Sequence, residues 1–205
     1  MLRVGLTGGI ATGKSTVGAM FIELGCRLLD SDEVGHELLQ PGQAVHAAVV
    51  REFGTRILVP DGTIDRRVLG NIVFKEDHRA RAKLNELMHP AIIRRQQEWF
   101  RETEARQPDG IAIVDAALMV EVGTYKNYEK LIVVTCSPDV QKQRLRSRSR
   151  LSEDQIEARI QSQMPLEEKV RYADFVIDNS GTLAATRKQV EAVYGELRKE
   201  CPSAG

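Results

Sequence analysis

Cysteine is nearly absent from this chain of 205 residues, and Cys26, Cys136 and Cys201 form an odd, scattered set. That excludes a disulfide framework and predicts reduced thiols in a cytoplasmic protein. Neither sign of charge is in excess, with Lys+Arg at 29, Asp+Glu at 29 and a net charge of +0. A nucleic-acid binder usually carries a basic surplus, so no nucleic-acid partner is expected. No apolar run approaches the ~18 residues needed to cross a membrane. The N-terminus enters a strand directly, without a signal-peptide layout. His36, His46, His78 and His89 show no metal-ligand spacing with one another or with the cysteines. What is left is a globular protein with 42% hydrophobic residues, long enough for one α/β core with insertions.

One stretch organises the rest. Gly8-Gly9-Ile10-Ala11-Thr12-Gly13-Lys14-Ser15 matches the phosphate-binding pattern G-x-x-x-x-G-K-[ST] in full. Leu2 to Leu6 reads as a buried strand before it, and Val17, Met20, Phe21 and Leu24 recur at helical spacing after it. Strand, glycine-rich turn and helix in that order are the context the motif requires. The glycines turn the backbone so that successive N–H groups point inward, and the following helix adds its positive dipole end. Lys14 is expected to reach the β- and γ-phosphates of ATP, and the Ser15 hydroxyl to bind Mg²⁺. The cofactor-binding positions expected from the loop are Gly9, Ala11, Thr12, Gly13, Lys14, Ser15 and Thr16.

Further strands follow in an α/β rhythm. Arg27 to Asp30 is a second strand ending in Asp30-Ser31-Asp32, where ligands of open α/β sheets bind. Asp32 either meets the nucleotide site or serves as the N-cap of the next helix. Residues 40 to 107 lose the rhythm and read as helical segments, with Asp65 and Asp77 as caps and a helix opening at His89-Pro90. Ile111 to Asp115 resembles a Walker B strand, whose acid organises Mg²⁺. Leu131 to Thr135 and Phe175 to Asn179 complete the sheet. Five basic residues lie between Lys142 and Arg150, followed by the capping box Ser152-Glu153-Asp154-Gln155. Two helices joined by an arginine-rich turn suit a lid that closes over phosphates, although a solvated charged face has the same composition.

These residues predict a P-loop NTPase-type parallel sheet flanked by helices, with a helical substrate-binding insertion and a helical lid. The core is expected over residues 1–32, 110–136 and 173–205, the insertion over 33–109 and the lid over 137–172.

The whole pattern resembles the dephospho-CoA kinase family. The resemblance rests on Val4 to Ile10, Gly13 to Thr16, Asp30-Ser31-Asp32, Gln40-Pro41-Gly42, Asp61-Gly62, Asp65-Arg66, Val73-Phe74, His89-Pro90, Leu118 to Glu121, Gln141 to Arg148, Arg159 to Met164, Ala173-Asp174 and Ile177-Asp178-Asn179. It implies transfer of the ATP γ-phosphate to the ribose 3′-hydroxyl of dephospho-CoA, the final step of coenzyme A synthesis. A monomer or weak homo-oligomer is expected. Asp32 would be the general base, and Lys14, Arg144, Arg66 and Thr7 would share the catalytic site. Arg144 and Arg148 would stabilise the transferring group, Asn179 would approach the adenine, and Asp32, Arg66, Phe74 and His89 would meet the acceptor. The family's usual glycine after Ile10 is Ala11 here, where a positive φ would cost about 1 kcal/mol or more. Its usual Pro-Leu-Leu-Phe-Glu is Ala117 to Glu121. A nucleoside monophosphate kinase and a P-loop nucleotide switch are the alternatives, although no Asn-Lys-x-Asp guanine motif is present.

Overall fold

The computed structural model describes residues 1–73, 78–148 and 152–202. Five strands form one sheet: β1 (Leu2–Gly8), β2 (Arg27–Asp30), β3 (Ile111–Asp115), β4 (Lys130–Thr135) and β5 (Phe175–Asp178). Their spatial order is β2-β3-β1-β4-β5. β1 pairs in parallel with both β3 and β4, and β4 pairs in parallel with β5. Unbroken apolar runs are what a parallel strand covered on both faces requires. Val4, Leu6, Ile113, Val114, Ile132, Val133 and Val134 are accordingly buried to 0% exposure. The predicted P-loop α/β architecture is the one observed.

Two compact units divide the chain, one built from Met1–Leu29 with Glu102–Gly205 and the other from Asp30–Arg101. In the first, α1 (Lys14–Glu23) and α9 (Leu183–Glu200) complete the core. Thr182 caps α9 by accepting the Ala185 N–H at 3.2 Å. Thr186, Val190, Val193 and Leu197 form the buried stripe of that helix. Three more helices, α6 (Pro138–Arg148), α7 (Glu153–Gln161) and α8 (Leu166–Val170), belong to the same unit. The Ser152–Gln155 capping box is formed as predicted.

In the second unit, α2 (Ser31–Leu38), α3 (Ala44–Phe53), α4 (Arg66–Asn71) and most of α5 (His78–Arg106) surround a separate cluster of Val49, Phe53, Ile57, Ile64, Leu69, Ile72 and Val73. Asp65 caps α4 as expected, accepting from Arg67 N–H at 2.9 Å and Val68 N–H at 3.1 Å. Asp77 lies outside the described residues. The expectation of a helix starting at Pro90 is corrected, because α5 runs through Pro90. A proline there removes one backbone hydrogen bond. Leu84, Met88 and Ile92, on either side of it, line one cavity from a single face of the helix.

Among the described residues, no helix is long and apolar enough to cross a membrane. All three cysteines are free. Burial pushes the Cys26 thiol up from 9.0 to about 12, with Cys201 nearby acting in the same direction. A raised folded-state value means that the native chain keeps a proton the unfolded chain has lost. The associated stability is whole below about pH 9 and drains away as pH rises through about 12. Urea midpoints should therefore fall across that window, and Cys26→Ala should flatten the fall. An unchanged slope in the variant would show that another group titrates there.

Candidate active site

β1 hands the chain to the phosphate loop at Gly8, and α1 takes it back at Lys14. Between them, Ala11 at φ 58° and Gly13 at φ 88° both adopt the left-handed conformation. Gly13 is constrained twice, because a Cβ there would lie 2.1 Å from Asn179 Nδ2. Ala11 bears the Cβ cost that a left-handed residue entails, about 1–2 kcal/mol. The backbone N–H groups of Ala11, Gly13 and Ser15 find no acceptor among the described residues. Together with the N-terminus of α1 they form a nest suited to an anion. Lys14 emerges at the same point and its ammonium pairs with Asp115 at the end of β3, both side chains being largely buried. The strand register sets Asp115 opposite Leu6 of β1. The Ser15 hydroxyl is exposed and makes no hydrogen bond among the described residues, while Thr16 is half-buried.

Two predicted loop positions are turned inward. Thr12 is fully buried and donates its hydroxyl to the Gly9 carbonyl at 2.9 Å. Thr7 is also fully buried and donates to the Ala117 carbonyl at 3.1 Å.

The loop is gripped from behind by residues far along the chain. Asn179, 2% exposed, donates through Nδ2 to the Thr12 carbonyl at 2.8 Å and accepts at Oδ1 from the Thr186 hydroxyl at 2.8 Å. Arg144 donates to the carbonyls of Thr12 at 3.0 Å, Ala11 at 3.4 Å and Asn179 at 2.8 Å. Ile10 is held at both ends of its backbone. Its N–H donates to Gln163 Oε1 at 2.7 Å, and its carbonyl accepts from Gln141 Nε2 at 2.8 Å.

The rest of the arginine-rich stretch is spent differently. Lys142 pairs with Glu157 at 2.8 Å, and Arg146 grips Glu153 with two bonds of 2.6 and 2.7 Å. Hydrogen bonding to Arg146 holds the Glu153 carboxyl below the usual carboxylate range, and Lys142 does the same to Glu157. These pairs join α6 to α7 on the surface, where such contacts stabilise little. The Arg148 side chain and Arg150 lie outside the described residues.

The second unit carries its own cavity of about 520 Å³, whose polar lining includes Asp32, His36, Arg66, Asn85 and His89. Asp30, not Asp32, is the N-cap of α2, accepting from the N–H groups of Asp32 at 2.7 Å and Glu33 at 3.3 Å. The capping alternative for Asp32 is thereby corrected. Asp32 sits two residues further in, exposed, and its carboxylate makes no hydrogen bond or ion pair among the described residues. A buried bond of 2.9 Å from Gln96 Nε2 to the Ser31 hydroxyl ties α2 to α5 beneath it. Phe74 lies outside the described residues.

Sequence reading missed Gln141, Gln163, Thr186 and Lys169 as parts of this site. Lys169 is fully buried and touches the carbonyls of Gly8 and Ala117. Its neighbours Glu167 and Glu168 gave it the appearance of a solvated face. Spacing alone offered no signal for the glutamines.

Two expectations follow from the loop geometry. Ala11→Gly should raise the unfolding free energy by up to about 1 kcal/mol, since relief of the left-handed Cβ exceeds the backbone entropy that glycine adds. A loss of stability in thermal unfolding would contradict it. Asn179→Ala leaves the Thr186 hydroxyl only its longer bond of 3.3 Å to the Thr182 carbonyl and removes one donor to Thr12, and should cost about 1–2 kcal/mol. Denaturant titration of the two variants against the parent checks both.

The chain was compared with known proteins. The family model described as dephospho-CoA kinase matches residues 2–185. The dephospho-CoA kinase of Aquifex aeolicus is 48% identical over 200 residues, covering 98% of this chain and 100% of that one. A crystal structure from Thermus thermophilus superposes with a TM-score of 0.78 at 28% identity, covering 96% of this chain and 97% of the other. The dephospho-CoA kinase structure from Campylobacter jejuni gives a TM-score of 0.70 at 29% identity, with coverage of 97% and 98%. A phosphate loop on a five-stranded P-loop sheet, matched along nearly its full length in this way, makes the chain a member of the dephospho-CoA kinase family.

Proposed function

We propose that this chain transfers the γ-phosphoryl group of ATP to the ribose 3′-hydroxyl of dephospho-CoA, completing coenzyme A. The observation that carries the chemistry is the nest of unpaired amides at Ala11, Gly13 and Ser15, with Lys14 at the head of α1. Such a nest suits a polyphosphate, and phosphoryl transfer depends chiefly on positioning and charge neutralisation.

The residues divide the work as follows. The loop amides of 11–16 bind phosphate oxygens, and Lys14 exchanges Asp115 for the β- and γ-phosphates. Arg144 holds the loop carbonyls and brings a cation beside the transferring group, a task shared with Arg148. Asn179 fixes the floor of the loop toward the adenine side. Asp32 has a carboxylate free of capping duty, which suits it to accept the acceptor's hydroxyl proton. Arg66 and His89 line the cavity with it, and Phe74 is assigned to the same acceptor site. Thr7 acts from behind, through Ala117.

A bound Mg²⁺ would supply Lewis-acid neutralisation of phosphate charge. The donor set fits that ion: Ser15 offers at the loop a hydroxyl with no partner among the described residues, and Mg²⁺ commonly keeps waters and needs only one or two protein ligands. We assign residues 33–109 to acceptor binding, 137–172 to a lid and the remainder to the nucleotide core. A monomer or weak homo-oligomer in the cytoplasm is the form we expect.

ADP release with ATP and Mg²⁺ should be rapid only when dephospho-CoA is the acceptor, and the product should carry a 3′-phosphate. Turnover with AMP instead would mark a nucleotide kinase, and equal slow hydrolysis in every case would mark a switch. Asp32→Asn should lower kcat by about 10²–10⁴ with little change in the KM for ATP, as loss of a general base does. A kcat within about threefold of the parent would remove Asp32 from the chemistry.

A further inference from the structure

Lysine is seldom fully buried, yet Lys169 on α8 is 0% exposed. Every group its ammonium touches stands at the carboxyl edge of the sheet. It donates to the Ala117 carbonyl at 2.7 Å and to the Gly8 carbonyl at 3.4 Å, and it pairs with Glu121 Oε1 at 2.8 Å. Gly8 ends β1 and opens the phosphate loop. Ala117 stands two residues beyond Asp115, the partner of Lys14, and its carbonyl also receives the Thr7 hydroxyl. Glu121 Oε1 additionally accepts the Met164 N–H at 3.2 Å, next to Gln163, which holds Ile10. Glu121 Oε2 is buried and has no hydrogen-bond partner among the described residues.

A cluster built only for stability would not take this form. An apolar side chain of similar length would fill the space without desolvating a charge pair or stranding an oxygen. It could not draw two carbonyls from neighbouring strand ends to one point. We propose that Lys169, neutralised by Glu121, is a positioning residue for phosphoryl transfer. It fixes Gly8 and Ala117 against each other and so sets where Lys14 and Asp115 stand relative to the loop amides. Lys169 itself touches no reacting atom and acts through those two carbonyls. The inference rests on reading the chain as an ATP-dependent kinase.

The test compares the full-length parent with Lys169→Met, Lys169→Arg and Glu121→Gln. The readouts are ATP affinity by calorimetry, kcat, the KM for each substrate, and the urea midpoint. Lys169→Met should weaken ATP binding by about tenfold or more and lower kcat, while the KM for dephospho-CoA stays within about twofold. Lys169→Arg, which keeps the charge, should recover part of the ATP affinity. Unchanged ATP affinity in folded Lys169→Met would overturn the proposal. So would parallel shifts in both substrates that track the unfolded fraction.

If Lys169→Met does not fold, Glu121→Gln decides, since it retains an acceptor oxygen and removes only the compensating charge. An ATP affinity weakened by about threefold at an unchanged urea midpoint would support the role, and an unchanged affinity would refute it. A parent that binds ATP but fails to phosphorylate dephospho-CoA would defeat the functional reading instead. The calorimetric comparison would still report on Lys169.

Discussion

The phosphate loop works only if its amides face one way, and a peptide group that turns its N–H inward must turn its carbonyl outward. Each carbonyl from Gly8 to Gly13 is met by a donor. Gly8 receives Lys169, Gly9 the Thr12 hydroxyl and N–H, and Ile10 receives Gln141. Ala11 receives Arg144, Thr12 receives Arg144 and Asn179, and Gly13 receives the N–H groups of Thr16 and Val17. With the carbonyls committed in this way, the amides of Ala11, Gly13 and Ser15 are left without an acceptor among the described residues. Preorganisation of this kind lowers the reorganisation required when charge develops.

The side chains that clamp the loop from outside it are supplied by the last third of the chain. Gln141 and Arg144 from α6, Lys169 from α8 and Asn179 just past β5 donate to its carbonyls, while Gln163, in the turn after α7, accepts the Ile10 N–H. The helices that supply them are themselves joined by Lys142–Glu157 and Arg146–Glu153. A single stretch of basic residues thus serves two purposes. Alternate positions face the neighbouring helix, while Arg144 turns toward the loop. Of the two cationic donors, Lys169 is neutralised by Glu121, so it is Arg144 that adds positive charge beside the nest.

What could be read in the sequence was what depends on near neighbours. The loop motif, the strand before it and the helix after it lie within one short segment, and their chemistry is local. The caps at Asp65 and Ser152 and the stripe of α9 were legible for the same reason. Asp30 and Asp32 were harder to separate, since two aspartates beside a serine offer equivalent cap oxygens until the helix start is fixed. Pro90 misled because a proline suits a helix start, whereas here the helix runs on through it at the loss of one backbone hydrogen bond. Asn179 was visible as a site residue, but its grip on Thr12 spans 167 positions. The burial of Lys169 depends on Gly8, Ala117 and Glu121, and no periodicity in Leu166–Val170 records those partners.

Ala11 shows how strongly the long-range contacts prevail over local preference. A non-glycine residue at φ 58° persists only where its surroundings over-determine the backbone. Here the residue before it is held at both its N–H and its carbonyl, and its own carbonyl and the next are held by Arg144. The chain can therefore do without the family's usual glycine at this point, because the loop's shape is imposed by its clamps rather than by conformational freedom. Gly13 enjoys no such latitude. There Asn179, which joins Arg144 in holding the Thr12 carbonyl, occupies the space a side chain would need, so the clamps that tolerate a side chain at one position exclude it two residues later.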